Sequence, residues 1–450
     1  MDAFRAYDIR GIYGTELTDE LAYQVGRCLP KMLGTQSILV GRDARSSSDA
    51  LRDALVRGLT EAGADVTDMG LATTPMVYFF TAAKGFGGSV MITASHNPPE
   101  YNGLKVSKAE ARPCGYHLGL SDVEAQIESG NLPPPAEVKG TVAQADYRAE
   151  YIAWMRQFAG DITGLNFAVD CSDGAAGVVA EALFSGAQVL MNATPDGAFP
   201  HHGPNPLDIE NCRQLIDVVQ ANHLDVGIIF DGDADRVMCV DETGTFVPPE
   251  ALIPLFAQWL RDHFPVEGMA PVVVHDIRTS RGAMEVLRET GFEPLMVRVG
   301  AAFAKTALRE RNGLCGGEVA GHYYFRHFHW CDSGELAALF ILAIAADAKR
   351  NGLTFSQILQ PITGRYVRSG EVNVHGVADR AGAIARVEAA VTQLMGPPAQ
   401  RADFDGIRLD WENAWFGVRA SNTEPILRLA GETQSQSTLD TLIATAKSAI

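Results

Sequence analysis

Three carboxylates in the segment "IIFDGDADR" stand at alternate positions, Asp231, Asp233 and Asp235, directly after an apolar run. Carboxylates this close repel one another unless a cation holds them, and an oxygen-only ligand set favours a hard ion such as Mg²⁺. Gly232 and Ala234 between them suit a tight loop rather than a helix. An EF-hand is excluded, because glycine at its sixth position and glutamate at its twelfth are missing. From these residues alone, a divalent-metal loop and a solvated acidic turn both stay open.

Ser95, in "VMITASHNPPEYNGLK", follows Val90, Met91 and Ile92 at what reads as the C-terminal end of a strand. That edge is where open α/β sheets build binding sites. Serine is a poor nucleophile unless activated. Its local polar company is Thr93, His96, Asn97 and Lys105, in what reads as a polar turn, with no G-x-S-x-G elbow. A turn or N-cap serine is as compatible with the stretch as a reactive one, and His96 reads as well as a residue that holds the turn closed.

Three more polar loops stand out. "VRASNTEPILR" places Arg419, Ser421, Asn422 and Thr423 between apolar flanks, with Arg428 at its end. Guanidinium, hydroxyl and backbone donors together suit a phosphate, although a hairpin turn has the same composition. "CGGEVAGHYYF" offers Glu318 and His322 among glycines, able to hydrogen-bond vicinal hydroxyls and shuttle a proton. A Gly-rich turn before an aromatic core strand is the plainer reading. Arg10, in "AYDIRG", is by itself only a surface salt-bridge candidate.

The elements around these loops alternate. "ELAYQVGRCLPKML" has helical periodicity, "QSILVGRD" reads as a strand, and "SDALRDALVRGLTEAG" as a helix ending at Gly63. The Pro-rich "ESGNLPPPAEVKG" marks a break. The pattern restarts at "LNFAVDCSDGAAG" and again near residue 251, where "APVVVHD" and "FEPLMVRVG" read as strands and "ELAALFILAIAADAKR" as a long buried helix. The last 85 or so residues alternate like antiparallel strands with two helices. The expected fold class is therefore α/β: three successive similar α/β domains with mixed sheets (1–140, 141–250 and 251–365), then a C-terminal α+β domain (366–450).

Composition narrows the function classes. A formal net charge of -18 argues against nucleic-acid binding, which needs basic surface. It leaves room for an anionic small substrate in a local positive pocket. Seven scattered cysteines without a CxxC read as reduced thiols in a cytoplasmic protein. The N-terminus lacks the apolar run of a signal peptide, and no segment is continuously apolar enough to span a bilayer.

Taken together, "YDIRG" at 7–11, "TASHNP" at 93–98, "DGDADR" at 231–236, "GGEVAGHYYF" at 316–325 and "RASNTEP" at 419–425 resemble the α-D-phosphohexomutase family, nearest its phosphomannomutase branch. The resemblance covers essentially the whole chain. It implies an isomerase with four domains around a central cleft, each contributing a loop. Ser95 would carry the phosphoryl group as phosphoserine. Asp231, Asp233 and Asp235 would hold one Mg²⁺ with a phosphate oxygen on Ser95, and Arg236 would lie beside them. Arg10, His96 and Lys105 would surround the transferring group. Glu318 would contact sugar hydroxyls, and Arg419, Ser421, Asn422, Thr423 and Arg428 would grip the other phosphate.

The implied reaction interconverts mannose 6-phosphate and mannose 1-phosphate through a hexose 1,6-bisphosphate that turns end for end in the cleft. Lys105 and His322 are the implied candidates for proton transfer. Phosphoglucomutase and phosphoglucosamine mutase are the nearest alternatives. A metal-dependent phosphatase and a non-catalytic sugar-phosphate binding protein are alternatives of another class. The partners expected are hexose phosphates, with no nucleic acid and no membrane, for a monomer or weak dimer. Ala320 and Ala301 depart from the family pattern, which commonly has serine and often histidine there, and both losses bear on substrate discrimination.

Overall fold

The structure, a computed structural model, describes residues 1–420 and 426–450. It contains four sheets in chain order. The first is seven-stranded and mixed. Its strands Ser37–Arg42, Asp65–Leu71 and Gly88–Ile92 run parallel, and Tyr101–Lys108 returns antiparallel beside Gly88–Ile92. Ile9–Ile12 closes one edge against Tyr101–Lys108. Val142–Gln144 pairs with Asp65–Leu71, so this sheet reaches beyond the Pro-rich stretch.

The second sheet orders its strands as Val237–Asp241, Val226–Phe230, Phe167–Asp170 and Val189–Met191, the first pair antiparallel and the rest parallel. The third likewise pairs Val272–Asp276 in parallel with Glu293–Val297 and Cys315–Gly317, then adds an antiparallel edge. The fourth is antiparallel throughout. Three mixed α/β units and a distinct final unit are thus present.

Buried strands explain the site's position. Val226–Phe230 and Val272–Asp276 are buried at every residue. Near-continuous Val/Ile runs of this kind are what a sheet covered on both faces requires. Each such strand stops where its polar loop begins. The helix Gly334–Arg350 starts at Ser333, whose side chain accepts from the amide of Leu336, and is buried almost all round.

One core cluster spans the first three units, from Phe79 and Tyr151 through Phe167 to Phe340. The fourth unit has its own core around Val387, Leu409, Phe416 and Leu429. It docks on the third through Arg408, whose buried guanidinium donates to the carbonyls of Ile277 at 2.8 Å and Thr279 at 2.7 Å. Among the described residues, no helix is long and apolar enough to cross a membrane.

Candidate active site

The loop after Val226–Phe230 turns back at once into Val237–Asp241, with Ala234 at φ 63°. A β-carbon at Gly232 would lie 2.5 Å from the carbonyl oxygen of Ser95, so only glycine permits the two loops to meet. The solvated-turn reading of this loop is corrected here: Asp231, Asp233 and Asp235 are at most 2% exposed. Their carboxylate oxygens lie within 4.8 Å of one another.

Ser95 sits at φ 53° and its hydroxyl donates to Asp231 Oδ2 at 2.8 Å. His96 Nδ1 is 3.2 Å from the same hydroxyl. With the serine proton given to Asp231, the hydroxyl oxygen can accept from an Nδ1–H tautomer of His96. Burial, followed by the charges of Arg236, Arg10 and Lys105, holds His96 well below its ordinary pKa, so it is a neutral ring.

Lys105 is not on the turn that carries Ser95. It lies on the returning strand Tyr101–Lys108, opposite Met91, because the chain reverses antiparallel after Pro98 and Pro99. From there its Nζ reaches Asp233 Oδ2 at 2.6 Å and Asp235 Oδ2 at 2.5 Å. Burial disfavours its charge, but Asp233 and Asp235 outweigh that and its pKa is raised. Lys105 is therefore a fixed cation.

Arg10 is likewise no surface residue. It lies on the edge strand Ile9–Ile12, pairs with Asp8, and donates to Ala94 O at 3.2 Å and Asn97 Oδ1 at 2.8 Å. Arg236 Nε is 3.7 Å from Asp231 Oδ2 and 3.9 Å from Asp235 Oδ1.

The carboxylates respond unequally. Asp231 is pushed well above its ordinary pKa by burial and by Asp233 and Asp235. Burial also acts on Asp235, yet Lys105 and His322 overcome it and its pKa is lowered. Asp233 Oδ1 and Asp235 Oδ1 are buried with no hydrogen-bond partner among the described residues. Unpartnered buried oxygens on an all-carboxylate loop fit a hard divalent cation, with Ser95 Oγ adjacent to complete the set.

The third unit is stitched to this loop through its backbone: Val237 N donates to Gly321 O at 3.2 Å and Gly334 N to Ala234 O at 3.1 Å. That places His322 Nδ1 2.8 Å from Asp332 Oδ2 and 3.6 Å from Asp235 Oδ1. Lys305 backs Asp332 at 2.6 Å. Glu318, 2% exposed, accepts from the Tyr324 hydroxyl and from Gly300 N at 3.2 Å, and burial raises its pKa. Gly300 N–H, rather than any side chain of Ala301, is the contact that reaches Glu318.

Arg419 and Arg428 face each other across paired strands, in a pocket that also includes Arg278, Arg408, Glu371 and Asp405. Burial and the nearby Arg278 lower the pKa of Arg419, and its Nε has no hydrogen-bond partner among the described residues. Clustered, desolvated guanidinium groups are stabilised by an anion. Ser421, Asn422 and Thr423 lie outside the described residues.

Several site residues escaped the sequence reading. Thr74 donates to Asp233 Oδ2 at 2.5 Å and its amide to Asp233 O at 3.0 Å. Arg278 lies 3.9 Å from Glu318. Arg45 and Asp43 lie buried behind Ser95. "GRDARSS" and "HDIRTS" both follow apolar strand runs, as the recognised loops do, and that placement was the available signal.

Comparison with known proteins agrees with this arrangement. Family profiles for phosphoglucomutase/phosphomannomutase match in series: alpha/beta/alpha domain I at residues 1–131, domain II at 149–244, domain III at 248–366 and the C-terminal domain at 373–447. A phosphomannomutase of Salmonella typhimurium is 35% identical over 447 residues, covering 96% of this chain and 95% of its own. Phosphohexose mutases of Xanthomonas campestris are 35% identical over 449 residues, covering 98% and 96%.

Among solved structures, a phosphoglucomutase/phosphomannomutase family protein from Burkholderia thailandensis superposes with a TM-score of 0.88 at 27% identity, covering 99% of this chain and 96% of its own. N-acetylphosphoglucosamine mutase of Aspergillus fumigatus, in complex with GlcNAc-6P and magnesium, shares the fold at a TM-score of 0.63 and 15% identity, covering 99% and 95%. Four matched domains in order and near-complete coverage by relatives lead to one conclusion: the chain is a phosphosugar mutase of the phosphoglucomutase/phosphomannomutase family.

Proposed function

We propose that the protein interconverts mannose 6-phosphate and mannose 1-phosphate, with Ser95 as the phosphoryl carrier. The observation that carries this reading is the Ser95 hydroxyl bonded to Asp231 at the head of a buried carboxylate loop, which keeps Asp233 Oδ1 and Asp235 Oδ1 without hydrogen-bond partners among the described residues and has Arg10, Lys105 and Arg236 around it. The mannose preference rests on the curated phosphomannomutases to which the chain is similar.

Asp231, Asp233, Asp235 and Ser95 Oγ are the groups that would hold one Mg²⁺. The chemistry such an ion supplies is charge neutralisation at a transferring phosphoryl group. Arg10, Lys105 and Arg236 add fixed positive charge around the same position. Phosphorylated Ser95 loses its Oγ–P bond as the free sugar hydroxyl gains an O–P bond. The sugar hydroxyl gives up one proton and Ser95 Oγ takes up one, so the transfer is proton-neutral overall and Ser95 ends as the hydroxyl that donates to Asp231.

His322 is the proton acceptor in this reading. Its Nδ1 faces the Asp332 carboxylate at 2.8 Å, which leaves Nε2 for the substrate. Lys105, committed to two aspartates, serves as charge and not as base. Glu318 and Arg278 meet sugar hydroxyls. Arg419 and Arg428, with Ser421, Asn422 and Thr423, take the phosphate that does not react. The hexose 1,6-bisphosphate then turns and returns its other phosphate to Ser95. Two half-reactions that share one set of groups need a remote anion site able to accept either phosphate, and the Arg419 pocket suits that role.

The test is a comparison of kcat/KM for mannose 1-phosphate, glucose 1-phosphate and glucosamine 1-phosphate, each with catalytic glucose 1,6-bisphosphate. The highest value for mannose 1-phosphate supports the reading. A glucosamine 1-phosphate preference overturns the substrate, and release of inorganic phosphate in place of isomer overturns the reaction.

A further inference from the structure

Behind the catalytic serine lies a guanidinium whose every N–H is spoken for. The Arg45 side chain is fully buried. Its Nε donates to Asp43 Oδ2 at 3.1 Å, and Nη1 to the carbonyls of Pro98 at 2.6 Å and Tyr101 at 3.0 Å. Nη2 donates to the carbonyls of Ser95 at 2.9 Å and Asn97 at 2.6 Å. A guanidinium has five N–H donors in a fixed planar fork, and here all five are used.

The carbonyls it collects belong to one segment, residues 95–101, which lies between Gly88–Ile92 and Tyr101–Lys108 and for the most part lacks ladder partners of its own. Ser95 itself adopts a left-handed backbone conformation, uncommon for a residue with a β-carbon. Such a conformation persists only where the surroundings over-determine it.

The anchor is itself anchored. Asp43 Oδ1 accepts from Arg45 N at 3.0 Å and from Ser48 Oγ at 2.6 Å, and Asn102 bridges Ser47 and Ser48 at 2.8 and 2.9 Å. From the second unit, Phe199 covers the guanidinium with its ring centroid 5.0 Å away. The backbone at Gly197 presses so close that a β-carbon there would lie 2.3 Å from Arg45 Cα. The group thus joins the serine loop to the unit that carries the aspartates.

We propose that Arg45 is the positioning residue of Ser95: its fork moulds the 95–101 loop so that Oγ keeps its aim at Asp231 through a cycle in which the serine gains and loses a phosphate. That cycle adds and removes nearly two negative charges at one side chain. A loop held only by its own turns would shift with each change. A lysine, with three donors on a point charge, has no planar fork to span carbonyls on both sides of the loop. The proposal rests on the reading of Ser95 as phosphoryl carrier.

The test uses the full-length enzyme and its Arg45→Lys and Arg45→Ala variants. Steady-state kinetics are measured, together with the rate at which glucose 1,6-bisphosphate phosphorylates dephosphorylated enzyme, read by intact mass. Both variants are expected to fold, with kcat and the phosphorylation rate reduced by about 100-fold and KM changed by less than about threefold. Millimolar guanidinium chloride should restore Arg45→Ala by at least about tenfold, with no gain for wild type or Arg45→Lys.

Wild-type rates in Arg45→Lys, a rise in KM alone, or no rescue of Arg45→Ala overturns the proposal. Should both variants fail to fold, Arg45→Gln is measured, and its failure to fold also overturns it, since the residue would then hold the domain rather than the loop. If wild type takes up no phosphate at Ser95, the carrier reading fails first and the positioning role falls with it. A phosphorylated wild type beside an equally fast Arg45→Lys sinks only the positioning role.

Discussion

The hydroxyl of Ser95 bonds to Asp231 Oδ2 at 2.8 Å across 136 residues of chain. This one contact joins the first sheet's reactive loop to the second sheet's carboxylate loop. It is buried at both ends, and positive charge reaches Asp231 from Arg236 and Lys105. The two loops work as a single device, so damage to either should have the same kinetic signature.

Chelation of divalent cations should abolish turnover, and added Mg²⁺ should restore it. Asp231→Asn and Asp233→Asn should each lower kcat by at least about 100-fold. A continuous mutase assay with and without chelator checks this, and full activity in chelator would remove the metal from the account.

Arg419 carries a buried Nε with no hydrogen-bond partner among the described residues, beside Arg278. Arg419→Ala should raise KM for the hexose monophosphate by about 10- to 100-fold, the size expected from losing one charge-assisted contact, with a smaller effect on kcat. An unchanged KM would move the non-reacting phosphate elsewhere.

Tyr324 donates to Glu318, which is otherwise held by the Gly300 amide. Tyr324→Phe removes one oxygen atom and leaves the carboxylate less constrained. The expected result is a fall of about tenfold in kcat/KM with Ser95 phosphorylation still measurable. Wild-type kinetics in this variant would show that Glu318 needs no such support.

Glu335 is fully buried, and desolvation raises its pKa to about 7, although the Tyr151 hydroxyl donates to it. Its folded pKa exceeds the ordinary value of 4.5, so its contribution to stability is complete below about pH 4.5 and is lost as pH rises through about 7. The loss is on the order of 3 kcal/mol. Glu335→Gln should cancel this term. Its Tm relative to wild type should climb between pH 5 and pH 8. A constant difference across that range would contradict the assignment.

Much of this was legible in the sequence because strands that end in polar loops leave a double mark: a buried apolar run, then residues too polar for the core. That mark located Ser95, the aspartates, Glu318 and Arg419. It misplaced Lys105, whose strand "YNGLKVSK" alternates too weakly to stand out from the turn before it. It also reduced Arg10 to a surface pair, since nothing local announces that an edge strand will fold over a loop some eighty-five residues away. Arg45 acts on carbonyls some fifty residues along the chain, and tertiary folding alone brings them together. The aspartate loop has the same ambiguity in sequence, a metal loop or a solvated turn. Burial decides it, and burial is a property of the assembled sheets.

The most direct test is intact mass after brief incubation with glucose 1,6-bisphosphate, wild type against Ser95→Ala, with peptide mapping of any adduct. The account predicts one added phosphate on wild type, mapped to Ser95, and none on Ser95→Ala, which should fold normally and lose nearly all turnover. An adduct on another residue, or wild-type turnover in Ser95→Ala, would contradict it.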